Sequence, residues 1–587
     1  MCGITAIYAY RAGAPAVDRD EVERITRQME KRGPDAHGTW FSMDGRVALG
    51  ARRLAIIDPH PEGDQPFVSG DLTIAFNGEI YNHRELRAAL ERSGVRFRTT
   101  TDTEVILELY RRDGASMLDL LRGMYAFAIW DARARRLFAA RDPYGIKPLY
   151  IADDGKTVRL ASQVKALLAG GAVSRTRDVA AEAGFFLLGS VPEPLTIHES
   201  IRAVEAGTML QIDEGEAPVS RTYFSIASVF LHAREQRGLA HLTTAEALLH
   251  EHVTESIGYH LVSDVPVGAF LSAGIDSSAV VSVATSLSSE PLHTFTLAYD
   301  RGENEAADAE RIARDLGAKT TTRIITKSEF QSDLPFIFAA MDQPSIDGVN
   351  TWFVSKAVAE GGVKVALSGV GGDELLGSYP TFETVPRMVR TTSAVKRLPL
   401  GSKSLGAATS AMHMLGAHPK VRGVAEFGGT YGGAYLLKRG LYTPGELPKL
   451  LGQEAADEGL RRLAIVRRID AAIEPDPVTP FGRVATLEAS LYLRNQLLRD
   501  TDWASMAHSV EVRTPLVDAS LLRQLAPLLL EYGPDCKRIL GARLPKWLRE
   551  LPKRGFFVPL AEWADLPPDG TSRRMRSWAR VVLESQT

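Results

Sequence analysis

Cysteine is nearly absent: only Cys2 and Cys536 occur in 587 residues. That excludes a disulfide framework and a cysteine-rich zinc site. No run reaches the ~18 consecutive apolar residues a membrane-spanning helix needs. The opening MCGITAIYAYRAG has neither a basic leader nor a long apolar stretch, so no secretory signal is expected and a cytoplasmic location follows by default. There is no block of five or more like charges, and 69 Lys plus Arg stand against 72 Asp plus Glu. That balance argues against a dedicated nucleic-acid binder, which usually carries a basic surplus or stripe. Neither the GxxxxGKS/T phosphate loop nor the GxGxxG dinucleotide fingerprint occurs.

With 45% apolar and 24% charged residues the chain reads as an ordinary globular protein. It is too long for one core, since single cores stop growing near ~250–300 residues. Residues 2–210 read as short strands with a few helices. GITAIYAY (3–10), RVALGARRLAIID (46–58), LTIAFNGEIY (72–81), MYAFAIWD (124–131) and RLFAARD (136–142) carry the β-rich alternation. Adjacent strands without intervening helices predict an α+β layered domain of antiparallel sheets flanked by helices. Residues 211–243 are poorly periodic and read as linker or domain edge. From 244 to 587 strands alternate with helices, which predicts a doubly wound α/β parallel sheet with a helical C-terminal part.

Two constellations carry chemistry. Removal of Met1 would leave Cys2 with a thiol and an α-amine on one residue. An α-amine titrates near ~7.7–8.0, so it can act as the base that activates its own side chain. Asn77 and Gly78 read either as a hairpin turn or as paired donors for an oxyanion. Asn82 with Glu85 reads as a capping box, and Asp102 reads as an N-cap. The second constellation is LSAGIDSS (271–278), where small and hydroxyl residues sit at a strand-to-helix turn suited to phosphate. LSGVGGDELLGSYP (367–380) follows another apolar strand. Asp276 and Asp373 are therefore candidate Mg²⁺ ligands, Asp373 having an N-cap as its alternative. Cys536, in GPDCKRIL, reads as an inert thiol.

MCGI, RGPDAHG (32–38), RRLAIID (52–58), FNGEIYNH (76–83), TDTEVI (101–106) and RDPYGIKPLY (141–150) together resemble the glutamine amidotransferase domain of the asparagine synthetase family. SxGxDS, GxGGDE, LLRDTDWASMAHSVEVRTPLVD (497–518) and LPKRGFFVP (551–559) resemble that family's ATP pyrophosphatase domain. The resemblance implies an N-terminal nucleophile fold in front, with Cys2 as nucleophile and Asn77 and Gly78 as oxyanion donors. It implies that Arg53 meets the glutamine α-carboxylate, and that Glu79 and Asp102 face its α-ammonium. It also implies that Ser272, Gly274, Asp276, Ser277 and Ser278 cradle pyrophosphate, that Leu297, Ser368 and Gly369 border the nucleotide, and that Lys553 neutralises the leaving group. ATP and Mg²⁺ are the implied cofactors, small molecules the implied partners, with a homodimer as the expected assembly. The implied reaction makes asparagine from aspartate through an acyl-adenylate, with ammonia carried through a dry internal passage.

Two positions depart from the family pattern. Ala273 replaces a second glycine, which is tolerable where φ is negative. Val370 stands where the asparagine-forming members carry an acidic residue. That leaves a second acceptor open: another carboxylic acid, in a polysaccharide or natural-product pathway. A plain glutaminase or a metabolite-binding regulatory protein is the third reading.

Overall fold

The computed structural model describes residues 2–236, 242–300, 305–414, 420–551, 558–565 and 571–586. Among them no helix is long and apolar enough to cross a membrane. The front part contains β1 (Cys2–Tyr8), β2 (Ala36–Phe41), β3 (Val47–Arg53), β4 (Phe67–Ser69), β5 (Leu72–Ile80) and β6 (Gly123–Asp131). It continues with β7 (Arg136–Arg141), β8 (Tyr150–Asp153), β9 (Val158–Ala161), β10 (Arg202–Ala203), β11 (Thr208–Asp213) and β12 (Val219–Thr222). These form two antiparallel sheets, ordered β10-β8-β9-β1-β3-β2 and β12-β11-β7-β6-β5-β4.

Strand alternation decides where each side chain goes. Ile4, Ala6 and Tyr8 of β1 point inward and share a core with Ala75 of β5. Ile7 points outward onto Val22 and Ile25 of the helix Arg19–Gln28. On the far side Ile74 and Phe76 meet Leu107 and Leu109 of the helix Asp102–Asp113. Helix, sheet, sheet and helix thus stack as four layers, the α+β arrangement expected. The stretch read as linker from 211 carries the end of β11, all of β12 and the helix Ile226–Ala233. All four residues of β12 are exposed, so that strand offers no apolar alternation to read.

The rear part contains β13 (Val267–Phe270), β14 (His293–Tyr299), β15 (Lys319–Ile325), β16 (Val365–Leu367) and β17 (Glu511–Arg513). They form one parallel sheet ordered β15-β14-β13-β16-β17. The winding reverses between β13 and β16. In open α/β sheets that reversal opens the ligand crevice, at the carboxyl ends of the strands. Residues after 380 are mainly helical, apart from the short β17.

The two parts share one apolar cluster: Leu54, Ile56, Met124 and Ile146 pack with Ala269, Leu271 and Leu367. A buried ion pair crosses beside it. Arg32 Nη1 and Nη2 meet Asp502 at 2.6 and 3.0 Å, while Nε donates to the Cys2 carbonyl at 3.1 Å. Removing one member leaves a buried charge without its partner, at a cost of about 3–5 kcal/mol. Arg32→Leu is expected to lower unfolding stability by that amount in a urea titration, and Arg32→Leu/Asp502→Leu to recover part of it. A single-variant loss below about 1 kcal/mol, the range of an exposed pair, would contradict this account.

Candidate active site

Cys2 shares the inward face with Ile4 and Ala6, and in β5 Asn77 and Glu79 share it with Ala75. The mouth between the two sheets thereby collects the front constellation. Cys2 is buried, and burial pushes its thiol pKa up, opposed by the Leu54 backbone N–H and Arg53. The sulfur at rest is therefore protonated and needs a base.

Asn77 lies within β5, which corrects the hairpin-turn reading of Asn77 and Gly78. Its Oδ1 accepts the Cys2 backbone N–H at 2.9 Å. Its Nδ2 is buried with no hydrogen-bond partner among the described residues, a spare donor beside the thiol. Gly78 has φ 151°, and a Cβ there would meet the Met124 carbonyl oxygen at 2.1 Å. Only glycine lets β5 and β6 approach so closely.

Glu79 Oε2 is buried with no hydrogen-bond partner among the described residues and lies 3.9 Å from Arg513 Nη2. Burial first, then Glu511 and Asp102, hold its carboxyl pKa well above the usual range. Asp102 Oδ2 accepts the Ile80 N–H at 2.9 Å, and burial raises this carboxyl too. The N-cap role belongs to Thr101, whose Oγ1 accepts the Thr103 N–H at 3.2 Å. Two desolvated carboxyls side by side suit a ligand ammonium. Arg53, directly across from Cys2 in the β1–β3 register, donates to the Ile57 and His60 carbonyls at 3.1 and 3.0 Å and to Asp64 at 2.8 Å. The capping box at Asn82 is not formed. Asn82 instead accepts the Arg122 N–H at 3.0 Å and donates to the Leu120 carbonyl at 2.9 Å.

The rear constellation straddles the β13/β16 reversal. Gly274 precedes the helix Ile275–Leu287, whose first turn carries Asp276, Ser277 and Ser278. Ser272 and Ser277 hydroxyls lie 2.9 Å apart, and the Ser278 hydroxyl is buried with no partner among the described residues. Ala273 is not in the left-handed region, so its methyl is accommodated. Ser368 and Gly369 follow β16, and buried Leu297 lies in β14 beside β13. A Cβ on Gly369 would fall 2.7 Å from the Ser277 nitrogen, and one on Gly372 2.4 Å from Asp276 Cγ. These two glycines permit the loops to meet.

Asp276 and Asp373 converge on one cation, Lys537 Nζ, which contacts Asp276 and lies 3.0 Å from Asp373. Burial pulls the lysine pKa down, but the two carboxylates outweigh it and raise it. Two converging carboxylates are hard oxygen donors, a set that fits Mg²⁺ completed by phosphate and water. Lys537 escaped the sequence reading because a lysine beside Cys536 carries no local signal. Arg32 and Arg513 lay inside the quoted motifs without an assigned role. Lys553 lies outside the described residues. Val370 is partly buried against the apolar core. Cys536 is buried, which pushes its thiol up to about 12, as fits an inert thiol.

Residues 1–224 match the family model of a glutamine amidotransferase domain, and residues 248–585 match that of asparagine synthase. The chain is 30% identical to asparagine synthetase (glutamine-hydrolysing) 1 of Bacillus subtilis, over 100% of this chain and 90% of that one. It is 33% identical to a putative asparagine synthetase (glutamine-hydrolysing) of Mycobacterium tuberculosis, over 96% and 88%. It is also 30% identical to amidase chry2 of Gibberella zeae, over 65% and 60%. Both halves of the site therefore sit in a chain that belongs to the glutamine-hydrolysing asparagine synthetase family, a glutamine-dependent carbon–nitrogen ligase.

Proposed function

We propose that the front site hydrolyses glutamine and the rear site uses ATP to activate a carboxylate for amidation. With Met1 removed, the Cys2 α-amine takes the thiol proton and the sulfur attacks the glutamine carboxamide. Asn77 Nδ2 and the Gly78 N–H stabilise the tetrahedral oxyanion. Glu79 and Asp102 hold the α-ammonium and Arg53 the α-carboxylate. Collapse expels ammonia and leaves a thioester, which water hydrolyses to glutamate.

In the rear site the acceptor carboxylate attacks the α-phosphorus of ATP, giving an acyl-adenylate and pyrophosphate. Ser272, Gly274, Ser277 and Ser278 hold the pyrophosphate, Leu297, Ser368 and Gly369 border the nucleotide, and Asp276 and Asp373 hold Mg²⁺. Bound Mg²⁺ supplies charge neutralisation at the phosphate oxygens. Lys537 and Lys553 balance the remaining negative charge. Ammonia then displaces AMP and forms the amide. The reading rests above all on the spare Asn77 Nδ2 donor beside a buried thiol, in one molecule with two convergent carboxylates at the sheet reversal.

Aspartate is the first acceptor to test, with asparagine as product. Val370 favours a second reading, since an apolar side chain there cannot assist proton removal from attacking ammonia. The test incubates the protein with ATP, Mg²⁺, glutamine and each of a panel of carboxylic acids, following pyrophosphate and amide. Aspartate-dependent release of both supports the first reading. Release only with another acid assigns the second. Pyrophosphate with no acid at all removes the shared chemistry.

A further inference from the structure

A cavity of about 560 Å³ opens between the two parts, away from both constellations. One wall is the short helix Ile465–Ala471 carrying Arg467 and Arg468, and another carries Arg494. Arg494 donates Nε to the Tyr144 carbonyl at 3.1 Å. Arg468 reaches the Leu463 and Glu193 carbonyls only at 3.5 and 3.4 Å. Neither guanidinium has a carboxylate within ion-pair distance among the described residues. The nearby Glu193 is already claimed, since Arg141 binds both its oxygens at 3.0 Å. Desolvation lowers the pKa of Arg494 and of Arg468, and the more distant carboxylates, Glu205 near both and Glu193 near Arg494, offset it only in part.

The opposite rim is the start of the helix Ile226–Ala233, with Ser225 as its N-cap. Its first N–H groups add positive potential toward the same space. Glu205 and Glu474 also line the cavity, Glu205 near enough to act on both guanidinium groups, and either can accept from a ligand hydroxyl group. The volume lies within the ~300–1,000 Å³ range of small-molecule sites.

From this convergence we infer that the cavity binds a phosphate-bearing small metabolite, its dianionic head on Arg468 and Arg494. A dianion suits two guanidinium groups that form no direct ion pair better than a single carboxylate does. The cavity is lined by Pro143 and Thr208 of the front part and by Arg468 of the rear, so a bound molecule would tie the two together.

Isothermal titration of the full-length protein tests this with ribose 5-phosphate, inorganic phosphate and, as a carboxylate control, citrate. At least one phosphate probe is expected to bind saturably. Binding should weaken about tenfold or more in Arg468→Gln and in Arg494→Gln. It should persist in Ser277→Ala, which alters the rear catalytic loop instead. Tighter binding of ribose 5-phosphate assigns a phosphorylated metabolite, whereas equal binding assigns free phosphate. Binding of citrate alone, no saturable binding, insensitivity to the arginine variants, or loss only in Ser277→Ala each overturn the assignment. Should Arg494→Gln fail to fold, the partly exposed Arg468 carries the test by itself.

Discussion

Cys2→Ala is expected to abolish glutamine-dependent amide formation, by at least about three orders of magnitude, while ammonia-dependent formation continues at the parent rate. The substitution removes one sulfur atom and leaves the backbone in place. The Cys2 N–H still reaches Asn77 Oδ1, and its carbonyl still accepts from Arg32. The front sheets and the Arg32–Asp502 pair should therefore survive, and with them the rear site. No other thiol can substitute, because Cys536 is buried in a helix of the rear part with its thiol pushed up to about 12. The measurement compares amide formed with glutamine and with ammonium salts, at fixed ATP and acceptor. Loss of both activities in a folded Cys2→Ala variant would falsify the division of labour between the two parts.

How much of this was legible in the sequence follows from what each residue must do alone. Between 2 and 141 the strands β1, β5, β6 and β7 were readable because they are buried and rich in branched and aromatic residues, whereas the less buried β2 and the three-residue β4 were missed. The inward direction of Cys2 and Asn77 follows from the same alternation once both sheets are placed. By contrast β12 is wholly exposed and β17 has three residues, so neither leaves a period to detect. The N-cap reading of Asp102 fails because its neighbour Thr101 takes the cap, and the Asp102 carboxylate accepts the Ile80 N–H instead. The Asn82–Glu85 spacing matched a capping box, yet tertiary contacts with Leu120 and Arg122 took the asparagine side chain instead. Lys537 and the arginines around the cavity were invisible for a different reason. A cation's role depends on which anions reach it across 164 and 261 residues of chain, as for Lys537.

Asp276→Asn is expected to cut acceptor-dependent pyrophosphate release by at least about a thousandfold while leaving glutamine hydrolysis in place. Asparagine keeps the aspartate shape, which matters because the side chain passes so close to Gly372 that a Cβ there would lie 2.4 Å from Asp276 Cγ. What is lost is one negative charge from a pair that gathers cations. Lys537 would retain Asp373 at 3.0 Å, so the loops should stay together and the loss should fall on the chemistry rather than the fold. A divalent cation bound through carboxylate oxygens and phosphates loses more than a neutral amide can return. Asp373→Asn should behave alike, and raising Mg²⁺ should recover part of the activity in each variant. Glutaminase activity in the same preparations reports that Cys2, Asn77 and the Arg32–Asp502 link remain in place. Undiminished pyrophosphate release from Asp276→Asn would take Asp276 out of the metal site and leave Asp373 without its partner there.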